Sequence, residues 1–279
     1  RSLAPLLEKA GMRVGLLTGA VKGKARKTVY AALESGELDL AIGTHALLSE
    51  GVTFAKLGLV VTDEQHRFGV GQRAALAAKA NGTPHVLVMS ATPIPRTLAL
   101  IIYGDLDVSV VDELPPGRSP VETYVVGEDK RQRMYNFVRK LVGEGRQVYM
   151  VCPAVEEGEA DGEEPGPGGP AADLKAAVTY AQTLQTQVFP DLRVGLVHGK
   201  MKSKEKDAVM TAFAAGKLDV LVSTTVIEVG VDVPNAALMI VENADRFGLS
   251  QLHQLRGRVG RGKHQSYCVL VTSTRSQDS

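Results

Sequence analysis

Short apolar runs alternate along the chain with longer segments rich in Ala and Lys. An apolar strand, a helix, a second strand, a loop and a third strand recur in that order, the β-α-β alternation of a parallel sheet covered by helices on both faces. The pattern predicts strands near 13–17, 38–43, 57–62 and 85–89 with helices near 23–35, 71–80 and 95–102. Further on it predicts strands near 147–152, 193–197, 219–223, 238–242 and 266–272 with helices near 130–143, 173–188, 203–215 and 250–257. Between the two sets, residues 112–120 (Asp-Glu-Leu-Pro-Pro-Gly-Arg-Ser-Pro) form a proline-stiffened linker. The chain reads as α/β with two lobes, 1–117 and 118–279, each a mostly parallel sheet flanked by helices.

The two lobes are copies of one another. Arg13-Val14-Gly15-Leu16-Leu17-Thr18-Gly19 matches Arg193-Val194-Gly195-Leu196-Val197-His198-Gly199, and Gly36-Glu37-Leu38-Asp39 matches Gly216-Lys217-Leu218-Asp219, both at an offset of 180 residues. Arg67-Phe68-Gly69 and Arg246-Phe247-Gly248 match one residue out of that register, each after a buried-strand run. The second copy also has a strand at Val148-Tyr149-Met150-Val151 for which the first has no equivalent, so the first lobe's opening strand is expected upstream of Arg1. In a doubly wound sheet that strand and its turn carry a phosphate loop. No G-x-x-x-x-G-K-[ST] occurs in the sequence, which we read as truncation.

Composition narrows the class. With 279 residues, 44% of them apolar and 23% charged, the chain can bury two cores, and disorder or a collagen-like fold is excluded. Its apolar runs fall far short of the roughly 20 residues needed to cross a bilayer. The start Arg-Ser-Leu-Ala-Pro has neither a leader pattern nor an initiating Met, so a fragment without a secretory signal is expected. Cys152 and Cys268 sit in strand-like runs without metal-ligand spacing, the pattern of buried thiols in a reducing cytosol; neither a disulfide nor zinc is expected. Net charge is +1, but residues 156–173 hold seven acidic residues and no basic ones among Gly and Pro, the composition of a solvated, mobile loop. Without it, residues 118–279 carry 20 basic against 13 acidic residues.

Four stretches carry chemistry. Asp63-Glu64-Gln65-His66 follows the strand Leu59-Val60-Val61-Thr62 and so lies at the carboxyl edge of the sheet, where open α/β folds bind ligands. There Asp63 suits Mg²⁺ held through its water shell, and Glu64 suits orienting the water that attacks a γ-phosphate; the alternative is an acidic strand end capping the next helix. Ser90-Ala91-Thr92-Pro93-Ile94-Pro95-Arg96-Thr97 follows the next strand. Its Ser90 and Thr92 suit a coupling bond to His66, against an ordinary helix cap. Leu221 to Pro234 starts as a buried strand and ends in a turn bearing Asp232, which suits reaching a ribose or phosphates. Thr224 and Thr225, with Thr44 and His45 at the matching position of the first copy, suit contacts to a single strand of nucleic acid; a plain strand and turn is the alternative. Finally, Arg256-Gly257-Arg258-Val259-Gly260-Arg261-Gly262 places three arginines among glycines, with Arg258 and Arg261 as candidate arginine fingers and a backbone-binding basic loop as the alternative. Lys200 and the lysines after it suit either DNA backbone or a solvated helix start.

Asp-Glu-Gln-His-Arg-Phe-Gly-Val, Ser-Ala-Thr-Pro-Ile-Pro-Arg-Thr, Thr-Thr-Val-Ile-Glu-Val-Gly-Val-Asp-Val-Pro-Asn-Ala and Gln-Leu-His-Gln-Leu-Arg-Gly-Arg-Val-Gly-Arg-Gly together resemble the motifs of superfamily 2 helicases. Among these they most resemble the RecG family of bacterial branched-DNA translocases. The transcription-repair coupling translocases share the Ser-Ala-Thr-Pro run but typically read Asp-Glu-Glu-Gln where this chain has Asp63-Glu64-Gln65-His66. The resemblance covers essentially all of the chain outside the acidic loop. It implies RecA-like lobes that close on ATP with Mg²⁺, with Asp63, Glu64, Gly230, Asp232 and Gln254 at the nucleotide and Asp63, Glu64, Arg258 and Arg261 catalytic. It further implies coupling through His66, Ser90 and Thr92, and DNA contacts from Thr44, His45, Arg96, Thr224, Thr225 and Lys200.

The implied substrate is branched DNA (stalled forks, Holliday junctions and R-loops), acted on in recombination and repair in the bacterial cytoplasm at the nucleoid. The implied protein is a monomer, with single-strand binding protein a candidate partner. Family members also carry an N-terminal wedge domain, a phosphate loop and a C-terminal helical hairpin, none of which is recognisable here, so the fragment alone is expected to be inactive. A silent binding module of the same fold and an RNA helicase are the competing readings; Glu64 with Arg258 and Arg261 disfavours the first, and Gln65 to Gly69 the second.

Overall fold

A computed structural model describes residues 4–63, 76, 79–80, 82–90, 107–115, 118–153, 170–224 and 233–272. The chain divides into two compact units, Arg1–Ile94 and Pro95–Ser279. The division expected at 117/118 falls inside the second unit, in a stretch whose described residues 107–115 are exposed.

In the first unit, α1 (Ala4–Lys9) leads to β1 (Val14–Leu17), α2 (Gly23–Ser35) and β2 (Leu40–Gly43). A 3-10 turn (His45–Leu48), β3 (Leu59–Thr62) and β4 (His85–Val88) follow. Gly36 ends α2 with φ 78, a left-handed conformation that glycine adopts without steric cost. β1 pairs with β2 and β3 with β4, both parallel, as the apolar runs predicted. Leu17, Leu33, Val52 and Phe54 form the core, with Tyr30, Leu38 and Leu47 against it. Lys79 Nζ donates to the carbonyls of Ser49 and Val52 at 2.8 and 2.9 Å, satisfying loop acceptors beside that core.

The second unit holds β5 (Glu122–Gly127), α3 (Arg131–Gly143), β6 (Gln147–Val151) and α4 (Pro170–Thr183), which continues as a π-helical turn over Leu184–Val188. Then come β7 (Val194–Val197), α5 (Ser203–Ala214), β8 (Val220–Ser223), β9 (Ala236–Val241), α6 (Leu249–Arg256) and β10 (Tyr267–Thr272). Six parallel strands run in the order β5-β10-β9-β6-β8-β7. Strand alternation sorts their side chains onto two faces. Val148 and Met150 join Val220, Val222, Leu238 and Ile240 beneath α3 and α4, while Tyr149 and Val151 join Leu221, Met239 and Val241 beneath α5 and α6. Phe213 of α5 is fully buried, a site where truncation to Ala costs about 3–5 kcal/mol.

α1 and β5 have no counterpart among the predicted elements. Of the acidic stretch expected to be a mobile loop, 156–169 lies outside the described residues, while 170–173 is the first turn of α4, with Pro170 at a first helical position that needs no N–H partner. Cys152 and Cys268 are buried free thiols, as expected. Burial raises the first to about 12 and the second to about 11, so neither is a thiolate at neutral pH. Among the described residues no helix is long and apolar enough to cross a membrane.

Candidate functional site

In the first unit β3 and β4 end side by side. Their parallel register sets Thr62 against Val88, and the Met89 N–H donates to the Thr62 carbonyl at 2.8 Å. Asp63 therefore leaves β3, exposed, next to the place where Ser90 leaves β4. The coupling expected between the two loops has its strand ends adjacent, although His66 and Thr92, like Glu64 and Arg96, lie outside the described residues. At the end of β2, Thr44 donates its N–H to the Leu17 carbonyl at 3.2 Å, and both Thr44 and His45 are exposed. An exposed carboxylate at such an edge is a hard oxygen donor of the kind Mg²⁺ takes through its water shell, so Asp63 fits that ion.

In the second unit the strand order reverses at β6, with β8 on one side and β9 on the other. Such a switch point opens a crevice at the carboxyl ends. Thr224 follows β8 and is only 3% exposed, unlike its exposed counterpart Thr44. Thr225, Gly230 and Asp232 lie outside the described residues. Lys200 is exposed in the turn after β7, where Lys206 Nζ donates to the Gly199 carbonyl at 2.7 Å. His198, in the same turn, has a buried Nδ1 without a hydrogen-bond partner among the described residues.

Gln254 is half-buried on α6, whose first turn is capped by the Gly248 N–H donating to Gln251 Oε1 at 3.1 Å. The three-arginine loop beyond α6 is pinned by its apolar and glycine positions. Val259 is buried, Gly260 has φ 77, and a Cβ on Gly262 would lie 2.2 Å from the Pro234 carbonyl oxygen. The close approach inferred from those glycines is present at Gly262. Arg258 and Arg261 emerge half-buried from this turn, with Arg261 Nε donating to the Gly257 carbonyl at 3.3 Å.

A third cluster was not foreseen. Glu242, directly after β9, is 6% exposed. Arg131 Nη1 and Nη2 donate to its two oxygens at 2.9 and 2.8 Å, and the Tyr180 hydroxyl donates to Oε1 at 2.5 Å. Arg131 also donates from Nε and Nη2 to Glu128 at 2.5 Å. Hydrogen bonds to Glu128 and then Glu242 hold the guanidinium far more firmly protonated than usual. Burial, reinforced by the Glu242 charge, pushes the Tyr180 hydroxyl well above the ordinary tyrosine range. The sequence held a signal for Glu242 alone and not for its partners: the one-residue-offset repeat places it opposite Asp63.

Comparison with known proteins gives this geometry its context. Residues 1–101 match the DEAD/DEAH box helicase family and residues 130–263 the helicase conserved C-terminal domain. The ATP-dependent DNA helicase RecG of Synechocystis sp. is 57% identical over 266 residues, covering 95% of this chain and 31% of that protein. The chain belongs to the RecG helicase family. The RecG of Bacillus subtilis is 50% identical over 276 residues, 99% of this chain and 39% of its own length. A solved structure of RecG bound to a three-way DNA junction is 43% identical and superposes with a TM-score of 0.70 over 99% of this chain and 35% of that one. The chain thus spans between about a third and two fifths of these RecG relatives. As in that family, the fold is α/β with parallel, RecA-like sheets.

Proposed function

We propose that the chain supplies the two-lobed motor core, divided at the 112–120 linker, of an ATP-dependent DNA helicase that remodels branched DNA in recombination and repair. Identity of 57% to a RecG over 95% of the chain carries this reading. The edge chemistry supports it. Asp63, exposed beside the Ser90 strand end, is the residue that would hold Mg²⁺, and the ion when bound neutralises charge on the nucleotide's phosphates. Glu64 orients the attacking water, and Gly230, Asp232 and Gln254 complete the nucleotide contacts.

Arg258 and Arg261, presented from the glycine-pinned turn after α6, stabilise the charge that builds on the transferring phosphoryl group. His66 with Ser90 and Thr92 connects the hydrolysis site to the DNA. Thr44, His45, Arg96, Thr224, Thr225 and Lys200 lie along its backbone. The substrates are forks, Holliday junctions and R-loops, worked on by a monomer with single-strand binding protein as a partner. Because no phosphate-loop motif occurs in the 279 residues, they alone are expected not to turn over ATP.

The test is ATP hydrolysis by the full-length gene product with forked and with linear duplex DNA, beside Glu64→Gln. Fork-stimulated turnover that falls by on the order of 100-fold or more in Glu64→Gln is expected. Turnover indifferent to DNA, or unchanged by the substitution, would remove the assignment.

A further inference from the structure

The unforeseen cluster sits where the repeat places a second copy of the metal-binding edge. β3–β4 and β9–β10 are equivalent parallel pairs, each preceded in the repeat by the same register of apolar residues: Leu59 to Thr62 against Leu238 to Val241. The residue after the first is the exposed Asp63; the residue after the second is the buried Glu242. A buried carboxylate is stable only when paired and hydrogen-bonded. Here Arg131, from the start of α3, and Tyr180, from α4, do both. Both oxygens of the second lobe's strand-end acid are therefore engaged by the lobe's own cation and hydroxyl, and the acid is not available as a metal ligand.

What the clamp holds is the corner that leads to the arginines. Glu242 donates its own N–H to the Val151 carbonyl at 2.8 Å, fixing it to β6 as well. The chain then turns through Asn243, at φ 48, where an L residue other than glycine is uncommon. Ala244 is buried, the Arg246 N–H returns to the Asn243 carbonyl at 3.0 Å, and Phe247 packs on the core beneath α6. Gly248 caps α6, and α6 runs directly into Arg258 and Arg261. Only residues 243–248 separate Glu242 from α6, so a shift of Glu242 has a short path into the helix and the arginine turn.

We propose that Glu242, gripped by Arg131 and Tyr180, is a positioning residue for the arginine arm: the second lobe's copy of the Mg²⁺ carboxylate sets the placement of α6 and hence of Arg258 and Arg261. This rests on the motor reading above. It adds Glu242, Arg131 and Tyr180 to the residues that govern the rate, acting through Arg258 and Arg261.

The experiment uses the full-length enzyme and compares Glu242→Gln, Tyr180→Phe and Arg131→Met with the double variant Arg131→Met/Glu242→Gln, reading kcat and KM for ATP on forked DNA together with thermal stability. Removing both charges together avoids leaving one of them buried and unpaired, so the double variant regains most of the stability that Arg131→Met loses. Its kcat is nevertheless expected to stay on the order of tenfold down at unchanged KM, since a displacement of an ångström at catalytic groups is enough for that. In an Arg258→Ala background the Glu242→Gln effect on kcat is expected to shrink, because Glu242 acts in part through that arginine.

A double variant whose kcat recovers along with its stability, or a Glu242→Gln effect that is undiminished in Arg258→Ala, overturns the proposal. A parent enzyme without fork-stimulated turnover overturns the motor reading and this inference with it, whereas recovery of kcat in an active parent overturns this inference alone.

Discussion

The unit β1–α2–β2 and its copy 180 residues on, β7–α5–β8, are closed by the same contacts. Arg13 donates from its backbone N–H and Nε to Asp39 Oδ2 at 2.8 and 3.0 Å, and Arg193 does the same to Asp219 at 2.8 and 2.9 Å. The N–H groups of Thr44 and Thr224 donate to the carbonyls of Leu17 and Val197. Yet the Asp39 side chain is 39% exposed and that of Asp219 15%. Among the described residues β2 pairs only with β1, whereas β8 lies between β7 and β6 and is buried throughout. Local sequence writes the contact, and the neighbouring strand decides its dielectric. The strand-end acids diverge further: Asp63 is exposed and Glu242 is buried under a guanidinium.

That second divergence is the one to break first. Arg131→Met leaves Glu242 buried without its cation and is expected to cost about 3 kcal/mol, read as a lowered urea midpoint and faster hydrogen exchange in the second unit. Asp63→Asn, at the equivalent but exposed position, is expected to change stability by less than about 0.5 kcal/mol. Equal losses from the two substitutions would mean that the two edges are not built differently.

Gly15 and Gly195 sharpen the comparison at the next scale. A Cβ on Gly15 would lie 2.5 Å from Leu38 Cδ1, and one on Gly195 2.6 Å from Leu218 Cδ1 with Leu221 Cδ1 at 3.4 Å. Leu38 and Leu218 are both half-buried and their ends can swing away; in the second unit the fully buried Leu221 stands on the other side as well. Gly195→Ala is expected to cost about 1–2 kcal/mol and Gly15→Ala under about 1 kcal/mol, measured by thermal unfolding. A larger loss at Gly15 would contradict the idea that the third strand sets packing tolerance.

The same distinction governs what the sequence made legible. Elements whose signal is local were found: β1, α2 and β2 and their copies begin and end within a few residues of their predicted bounds, because apolar runs, the Gly36 stop and the Arg–Asp pairs lie within one unit. β5 was not found. Its residues Glu122 to Val125 are exposed, so no buried run marks it, and it exists by pairing with β10 some 145 residues away, the separation spanned by Gln265 Nε2 donating to the Pro120 carbonyl. The π turn at Leu184–Val188 likewise read as plain helix, since one wider hydrogen bond leaves no mark on composition. At the site, the place of Asp63 at the end of β3 and of the glycines that pin the arginine turn was legible because each lies within a single motif. The Glu242 clamp was not, because its partners come from α3 and α4, 111 and 62 residues back along the chain.

The smallest effect lies in the duplicated ion pairs themselves. Hydrogen bonds from the Arg13 side chain, then from its backbone, lower the Asp39 carboxyl to about 2, and the Arg193 side chain lowers that of Asp219 as well. A carboxyl whose folded value lies below its unfolded value of roughly 3.9 stabilises fully above that unfolded value and loses its contribution as pH falls through the folded one. For Asp39 the window runs from about pH 4 to about pH 2. Asp39 is solvated, so screening leaves its pair little weight. Asp219→Asn, at a side chain only 15% exposed, is expected to cost about 1 kcal/mol at pH 7. The loss from Asp39→Asn is expected to be smaller, and both losses should shrink together as the pH is taken below 4. Hydrogen exchange at the amides of Asp39 and Asp219, which donate to the carbonyls of Arg13 and Arg193, reads each copy separately in the same sample. If the two asparagine variants loosen their copies equally, the third strand contributes nothing to the pair it covers, and burial is not what separates the two lobes.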